Sequence, residues 1–238
     1  MSPLRIGTAG WSITRGAADR FDAPGSHLER YARLMPAVEI NSSFSRPHAR
    51  TTYERWAAAT PSHFRFSVKV PRAITHEQKL CDAGDAFRRF VEETDGLGDR
   101  RGPLLVQLPP SLAFDATVAA RFFTMVRGGY TGPLVCEPRH LTWFSHQAAE
   151  LLVDYQVARV AADPPRHADG AEPAGWKGMT YFRWHGHPRV YWSSYGDQLL
   201  SGLAARLREH ARDADTWCIF DNTAAFFALG NALAVSPI

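Results

Sequence analysis

Cysteine is scarce. Cys81, Cys136 and Cys218 are three residues in 238, far apart, odd in number and without a Cys-x-x-Cys spacing. That excludes a disulfide framework and a cysteine metal knuckle, and leaves buried, reduced thiols as the expectation. Lysine is as rare: Lys69, Lys79 and Lys177 stand against 24 arginines, yet the formal net charge is only +3. The chain is therefore no polycation, and arginine content alone does not mark a nucleic-acid binder. No apolar run approaches the ~18 residues of a membrane helix, so no membrane partner is expected. The opening Met-Ser-Pro-Leu-Arg has no apolar signal core, and a cytoplasmic location is the expectation. No Gly-x-Gly-x-x-Gly follows a strand-like run, and Gly7-Thr-Ala-Gly10 is too short for a dinucleotide fingerprint. Hydrophobic residues at 45% and charged residues at 21% exclude disorder, collagen and coiled coil for the bulk of the chain.

Eight short β-rich segments recur: Leu4–Thr8, Ala37–Asn41, Arg65–Val70, Leu104–Leu108, Leu134–Glu137, Val157–Ala161, Met179–Trp184 and Thr216–Phe220. Most are brief apolar runs, as expected of strands buried on both faces. Helical stripes lie between most of them. Ser26 and Glu29 form a capping box before Leu28, Tyr31, Ala32 and Met35. Further stripes are Phe87/Phe90/Val91/Thr94, Ala119/Phe122/Phe123/Val126 after Asp115, and Ala148/Leu151/Leu152/Tyr155 after Ser145. Leu199/Leu200/Leu203/Leu207 and Phe226/Leu229/Leu233 follow. Asp163–Gly178 is rich in Pro and Gly and has no helical period, so it reads as a loop in place of one helix. Alternating strands and helices imply parallel strands. The expected fold is an α/β (β/α)8 TIM-type barrel, a single domain over residues 1–238, with the helix after strand 6 replaced by that loop. A doubly wound open sheet is the alternative.

Active sites of such barrels sit at the C-terminal strand ends. Polar residues gather there in this chain. Strand 1 is followed by Trp11, strand 2 by Glu39, Asn41, Phe44 and Arg46, strand 3 by Lys69 and His76, and strand 4 by Gln107. Strand 5 gives Glu137, Arg139 and His140, strand 6 Asp163, strand 7 Arg183 and His185, and strand 8 Asp221 and Asn222. Glu39/Asn41, Glu137/Arg139 and Arg183/His185 are each two apart, which places both members on one strand face. Ion pairs are the bland reading: Lys69 with Glu39 or Glu137, Arg183 with Asp163, Asp221 or Glu137, and Glu137 with Arg139. Burying the whole set without a purpose would be costly.

The strings IGTAGW, VEINSSF, FSVKVPRAITH, LLVQLPP, EPRH, RWHG and FDNT, with a final NAL, run from residue 6 to 233. In this order they resemble the YecE-like proteins, domain of unknown function 72. The resemblance implies a TIM-type barrel and a site, not a particular reaction. It puts Glu39, Asn41, Lys69, His76, Gln107, Glu137, Arg139, His140, Asp163, Arg183, His185, Asp221 and Asn222 on recurring positions. The chain departs from the family after Trp11, where a W-x-G-x-F-Y-P segment is replaced by Ser12–Pro24, and at Ser45, where a Tyr is expected after Phe44. Both changes bear on the identity of the substrate.

Lys69, Arg139 and Arg183 are cationic donors suited to phosphate or carboxylate, and they are expected to converge on an anion. Trp11, Phe44, Trp143, Trp184, Trp192 and Tyr195 offer flat faces for a sugar or base. Glu39, Glu137, Asp163 and Asp221 are candidates for acid–base work. Glu137 is the preferred base or acid, with His185 as its proton partner and Gly186 leaving room for a ligand. Lys69 could serve as a base, a phosphate donor or an imine-forming amine. No cofactor is indicated and no metal set is assigned, since Lys69, Arg139 and Arg183 would repel cations. The leading expectation is an enzyme acting at the barrel mouth on a phosphorylated or otherwise anionic, ring-containing small molecule. The alternatives are a non-catalytic nucleotide or nucleic-acid binder, and a metal-dependent phosphoesterase resembling apurinic endonucleases.

Overall fold

The apolar runs pair side by side in a single sheet. The computed structural model describes residues 2–236. Its elements are β1 (Leu4–Ala9), α1 (His27–Leu34), β2 (Ala37–Ile40), α2 (Arg50–Ala58), β3 (Arg65–Lys69), α3 (Gly84–Thr94), β4 (Arg101–Gln107), α4 (Ala116–Gly129) and β5 (Leu134–Glu137). They continue as α5 (His146–Asp154), β6 (Val157–Arg159), β7 (Ala161–Asp163), β8 (Ala174–Gly175), β9 (Met179–Trp184), α6 (Asp197–His210), β10 (Asp215–Phe220) and α7 (Ala228–Val235). The hydrogen-bonded order is β7-β9-β10-β1-β2-β3-β4-β5-β6-β8. All pairs are parallel except β6 with β8. β6 pairs with β5 and β7 pairs with β9, and only Val160 separates the two. They are the halves of one broken stave, and the ring closes through the chain at that point. The fold is the α/β TIM-type barrel expected from the alternation. Among the described residues no helix is long and apolar enough to cross a membrane.

Local chemistry explains most elements. The Ser26 hydroxyl accepts from the Glu29 N–H at 3.3 Å, and the Glu29 carboxylate accepts from the Ser26 N–H at 2.7 Å. This capping box starts α1. Asp115 and Ser145 cap α4 and α5 by accepting from the Val118 and Ala148 N–H groups. Between β7 and β9 no helix forms. A short 3-10 turn at Ala168–Ala171 and the two-residue β8 fill the space instead.

Two expected stripes are trimmed. Leu199 is 52% exposed on α6, and Phe226 is 65% exposed and lies before α7. Helix α2 buries only Tyr53 fully, with Trp56 and Ala57 half-buried beside it against the core.

Alternation sorts the strand residues into two cores. Phe64, Phe66, Phe87, Phe90, Phe122 and Phe123 lie in the larger cluster, which α1, α3 and α4 share with the strands. Ala37, Leu105, Val135, Met179, Tyr181, Trp217 and Ile219 form a separate cluster inside the barrel. Trp217 stacks on Tyr181, with centroids 6.0 Å apart and planes at 11°. Gly102 makes room for it, since a Cβ there would lie 2.6 Å from the Trp217 ring. Arg5 lies over the same indole and pairs with Asp215, closing the floor. Above the Arg5–Asp215 pair the lumen is thus plugged with aromatic carbon, and the larger set of buried charges lies at the C-terminal mouth.

Candidate functional site

Arg183 occupies the centre of the mouth. It follows Tyr181 by two residues on β9, so its side chain enters the lumen one layer higher. It is fully buried. Nε donates to Glu39 Oε2 at 3.1 Å and Nη2 to Glu39 Oε1 at 2.7 Å. Nη2 also donates to Asp221 Oδ2 at 2.9 Å, and Nη1 to Glu137 Oε2 at 2.6 Å. Four of the five guanidinium N–H groups are thereby spent on three carboxylates. Burial alone would lower the Arg183 pKa, but Glu39, Glu137 and Asp221 raise it well above the ordinary value. Tyr181 supports the array from below, its phenol 2.9 Å from both Glu39 Oε2 and Ser67 Oγ.

Two of these carboxylates also flank His185. Its Nδ1 lies 3.1 Å from Asp221 Oδ2 and its Nε2 lies 3.2 Å from Glu137 Oε1. With carboxylates on both sides, each ring nitrogen carries a proton and the imidazolium is the favoured form. Burial pushes the His185 pKa down, but Glu137 and Asp221 push it further up, and the result is raised. Glu137 Oε1 also accepts from Arg139 Nε at 3.2 Å and Nη2 at 3.1 Å. Burial works against ionised Glu137, yet Arg183, then Arg139 and His185, hold it well below the usual carboxylate range. Asp221 is lowered for the same reasons, burial opposing and Arg183 prevailing. Glu137 and His185 thus stand as carboxylate and imidazolium in direct contact.

Lys69 enters the same lumen from β3, next to Phe44, whose ring centroid is 4.3 Å from Nζ. It is buried, and forms no ion pair or hydrogen bond with any described side chain. Burial first, and Arg183 second, lower its pKa despite the nearby acids. His76 packs edge-on against Phe44 at 5.0 Å and contacts the Thr75 hydroxyl at 2.9 Å. Burial and then Lys69 lower its pKa. Asn41 donates to Asp221 at 3.4 Å, and Gln107 is buried at the end of β4 without a side-chain partner. The weighed ion pairs of Arg183 with Asp221, and of Glu137 with Arg183 and Arg139, are all present. No pairing of Lys69 with Glu39 or Glu137, or of Arg183 with Asp163, is formed.

Other sequence candidates turn to local tasks. Asp163 accepts from the Tyr195 phenol at 2.8 Å, and that phenol accepts from the Gly186 N–H at 2.8 Å. Gly186 has φ +99°, and a Cβ there would meet the Ser193 carbonyl at 2.8 Å. Its freedom serves the fit of its own loop rather than the approach of a ligand. His140 caps the short turn at Leu141–Phe144 by accepting from the Thr142 N–H. Asn222 donates to the Ser193 carbonyl at 2.9 Å and to Asn231 at 2.8 Å, joining the mouth to α7. Trp11 packs edge-on against Trp56, and Arg46 is exposed without a hydrogen bond or ion pair among the described residues. Arg183 presents no side-chain surface, so its guanidinium is closed to a ligand.

Sequence reasoning missed Tyr181, Ser67, Arg166 and Tyr191. The first two share the lumen period of Arg183 and Lys69, which was the available signal. Tyr191 reaches His185 from a loop, edge-on at 5.8 Å, and nothing local in the sequence marks it. A cleft of about 410 Å³ opens over the pair, lined by Glu137, Arg139, Phe144, Arg166, His185 and Tyr191 among others. Among the described residues no three His, Cys, Asp or Glu side chains are grouped to hold a metal ion. The mouth acids face guanidinium and imidazole instead.

A parallel α/β barrel with a buried charge array at its C-terminal mouth defines the class as TIM-type. The model for "Protein of unknown function DUF72" matches residues 5–237, and the chain belongs to that family. The UPF0759 protein YunF of Bacillus subtilis is 26% identical over 207 residues, covering 79% of this chain and 72% of that protein. The UPF0759 protein YecE of Escherichia coli K12 is 33% identical over 82 residues, covering 34% of this chain and 30% of that protein. The crystal structure of a DUF72 family protein from Enterococcus faecalis superposes with a TM-score of 0.82 at 20% identity, covering 98% of this chain and 94% of the other. One from Thermotoga maritima gives 0.79 at 22%, covering 98% and 97%. At these identities the structural likeness speaks to the fold alone.

Proposed function

We propose that this protein is an enzyme acting on a phosphorylated or otherwise anionic, ring-containing small molecule at the C-terminal barrel mouth. The observation that carries this reading is the Glu137–His185 contact beneath a cleft whose wall includes Arg139. Glu137, kept ionised, takes a proton from the substrate, and His185, kept protonated, returns one. Arg139 offers a planar fork to the anion, Arg166 lines the same cleft, and Lys69 adds a buried cation that has no ion pair among the described residues. Phe44 and Tyr191 provide faces for a ring. Arg183 has no spare role with the ligand. It positions Glu39, Glu137 and Asp221, so that the reacting pair is held before substrate arrives.

Titration calorimetry with inorganic phosphate tests this. Removing one charge-assisted contact costs ~1.5–3 kcal/mol, so Arg139→Ala and Lys69→Ala should each weaken binding roughly 10- to 100-fold. Binding to both folded variants as tight as to wild type would overturn the reading.

A further inference from the structure

Among the described residues of the mouth array, Lys69 is the one cation without a counter-ion. Arg183 takes three carboxylates and Arg139 shares one of them, leaving none for the amine. The side chain is nevertheless buried at the end of β3, with Nζ 4.3 Å from the Phe44 ring centroid. Nζ is not fully sealed, and the residue keeps 9% of its surface in contact with solvent. Burying an ammonium without hydrogen bonds is unfavourable, and a ring face recovers only part of the loss. The amine therefore gives up its proton more readily than an exposed lysine does, and the neutral form carries the lone pair that attack on a carbonyl needs. Burial and the neighbouring Arg183 favour that form, and the field of Glu39, Asp221 and Glu137 opposes it without prevailing. His76, across the Phe44 ring, is the remaining titratable neighbour.

We propose that the ε-amine of Lys69 forms an imine with an aldehyde or ketone of the ligand, which makes the substrate class of this mouth an anionic ring compound bearing a carbonyl. This rests on the mouth being the ligand site proposed above. In the step, the nitrogen lone pair attacks the carbonyl carbon and a C–N bond forms. The carbonyl π electrons move to oxygen. Both amine hydrogens then leave with that oxygen as water, and C=N remains. No oxidant or reductant is needed. An amine poised in this way is a recurrent device for activating carbonyl compounds.

The composition makes the test clean, because Lys79 and Lys177, both exposed, are the only other lysines. The folded protein is incubated with pyridoxal 5′-phosphate, a phosphorylated ring aldehyde, and the imine is fixed with borohydride and located by peptide mass mapping. Lowering an amine's pKa enlarges its free-amine fraction at neutral pH, so Lys69 should be labelled faster than Lys79 and Lys177. Lys69→Arg keeps the charge and loses the primary amine. It should lose this label while Lys79 and Lys177 keep theirs. Label on Lys79 and Lys177 with Lys69 spared, in wild-type protein that binds phosphate, overturns the imine and leaves the anion site standing. Label on Lys69 without any phosphate binding supports the amine and overturns the anion site.

Discussion

Replacing Arg183 by Met removes the guanidinium and keeps most of the volume. Four charge-assisted hydrogen bonds disappear. The three acids do not suffer equally. Glu137 retains Arg139 and His185, and Asp221 retains His185 and Asn41. Glu39, fully buried, retains only the Tyr181 phenol. Breaking a buried pair by removing one partner costs about 3–5 kcal/mol. A domain has a margin of roughly 5–15 kcal/mol, so this is a large share of it. At about 2–4 °C per kcal/mol, Tm should fall by roughly 6–20 °C. Urea unfolding followed by tryptophan fluorescence reads the change. The double variant Arg183→Met/Glu39→Gln, which no longer carries the stranded charge, should regain at least ~1 kcal/mol. An Arg183→Met protein within ~1 kcal/mol of wild type at pH 7 would refute the central place given to this residue.

Two further outcomes follow from the same array. Glu137 and Asp221 have lowered pKa values, so their contribution is present above their unfolded values, about 4, and is lost as pH falls through the folded ones. His185 is raised, so its contribution is complete below about 6.5 and is lost as pH rises through its folded value. Stability should therefore peak between about pH 4.5 and 6.5, and His185→Gln should flatten the alkaline side; an unchanged alkaline slope in that variant would contradict the assignment. Tyr181→Phe leaves Glu39 Oε2 and Ser67 Oγ without their shared partner, and should cost about 1–3 kcal/mol in the same unfolding experiment.

The barrel was legible because its signals are redundant. Strands buried on both faces must be apolar, and Ser26, Asp115 and Ser145 mark helix starts by chemistry that needs no tertiary partner. Where a single interaction decides, the sequence was mute. The break at Val160 depends on which neighbour each half of the stave meets. The candidate site followed the same division. Spacing by two put Glu137 with Arg139 and Arg183 with His185 on the lumen, as the structure does. Partner choice was legible in part: Arg183 with Asp221 and Glu137, and Glu137 with Arg139, were weighed and form, whereas Arg183 with Glu39 was not foreseen. Arg183, with its planar fork, takes the carboxylates, and Lys69 is left over. Asp163, His140 and Asn222 sit at strand ends too, but a nearby phenol, turn or loop amide satisfies each first.

The most direct test of the mouth as an anion-binding active site is a crystal structure of the protein grown with inorganic phosphate. The account expects the anion within about 2.7–3.2 Å of the Arg139 guanidinium and of Lys69 Nζ, in the cleft above Glu137 and His185. A mouth free of phosphate, at concentrations where calorimetry shows the protein saturated, would contradict it.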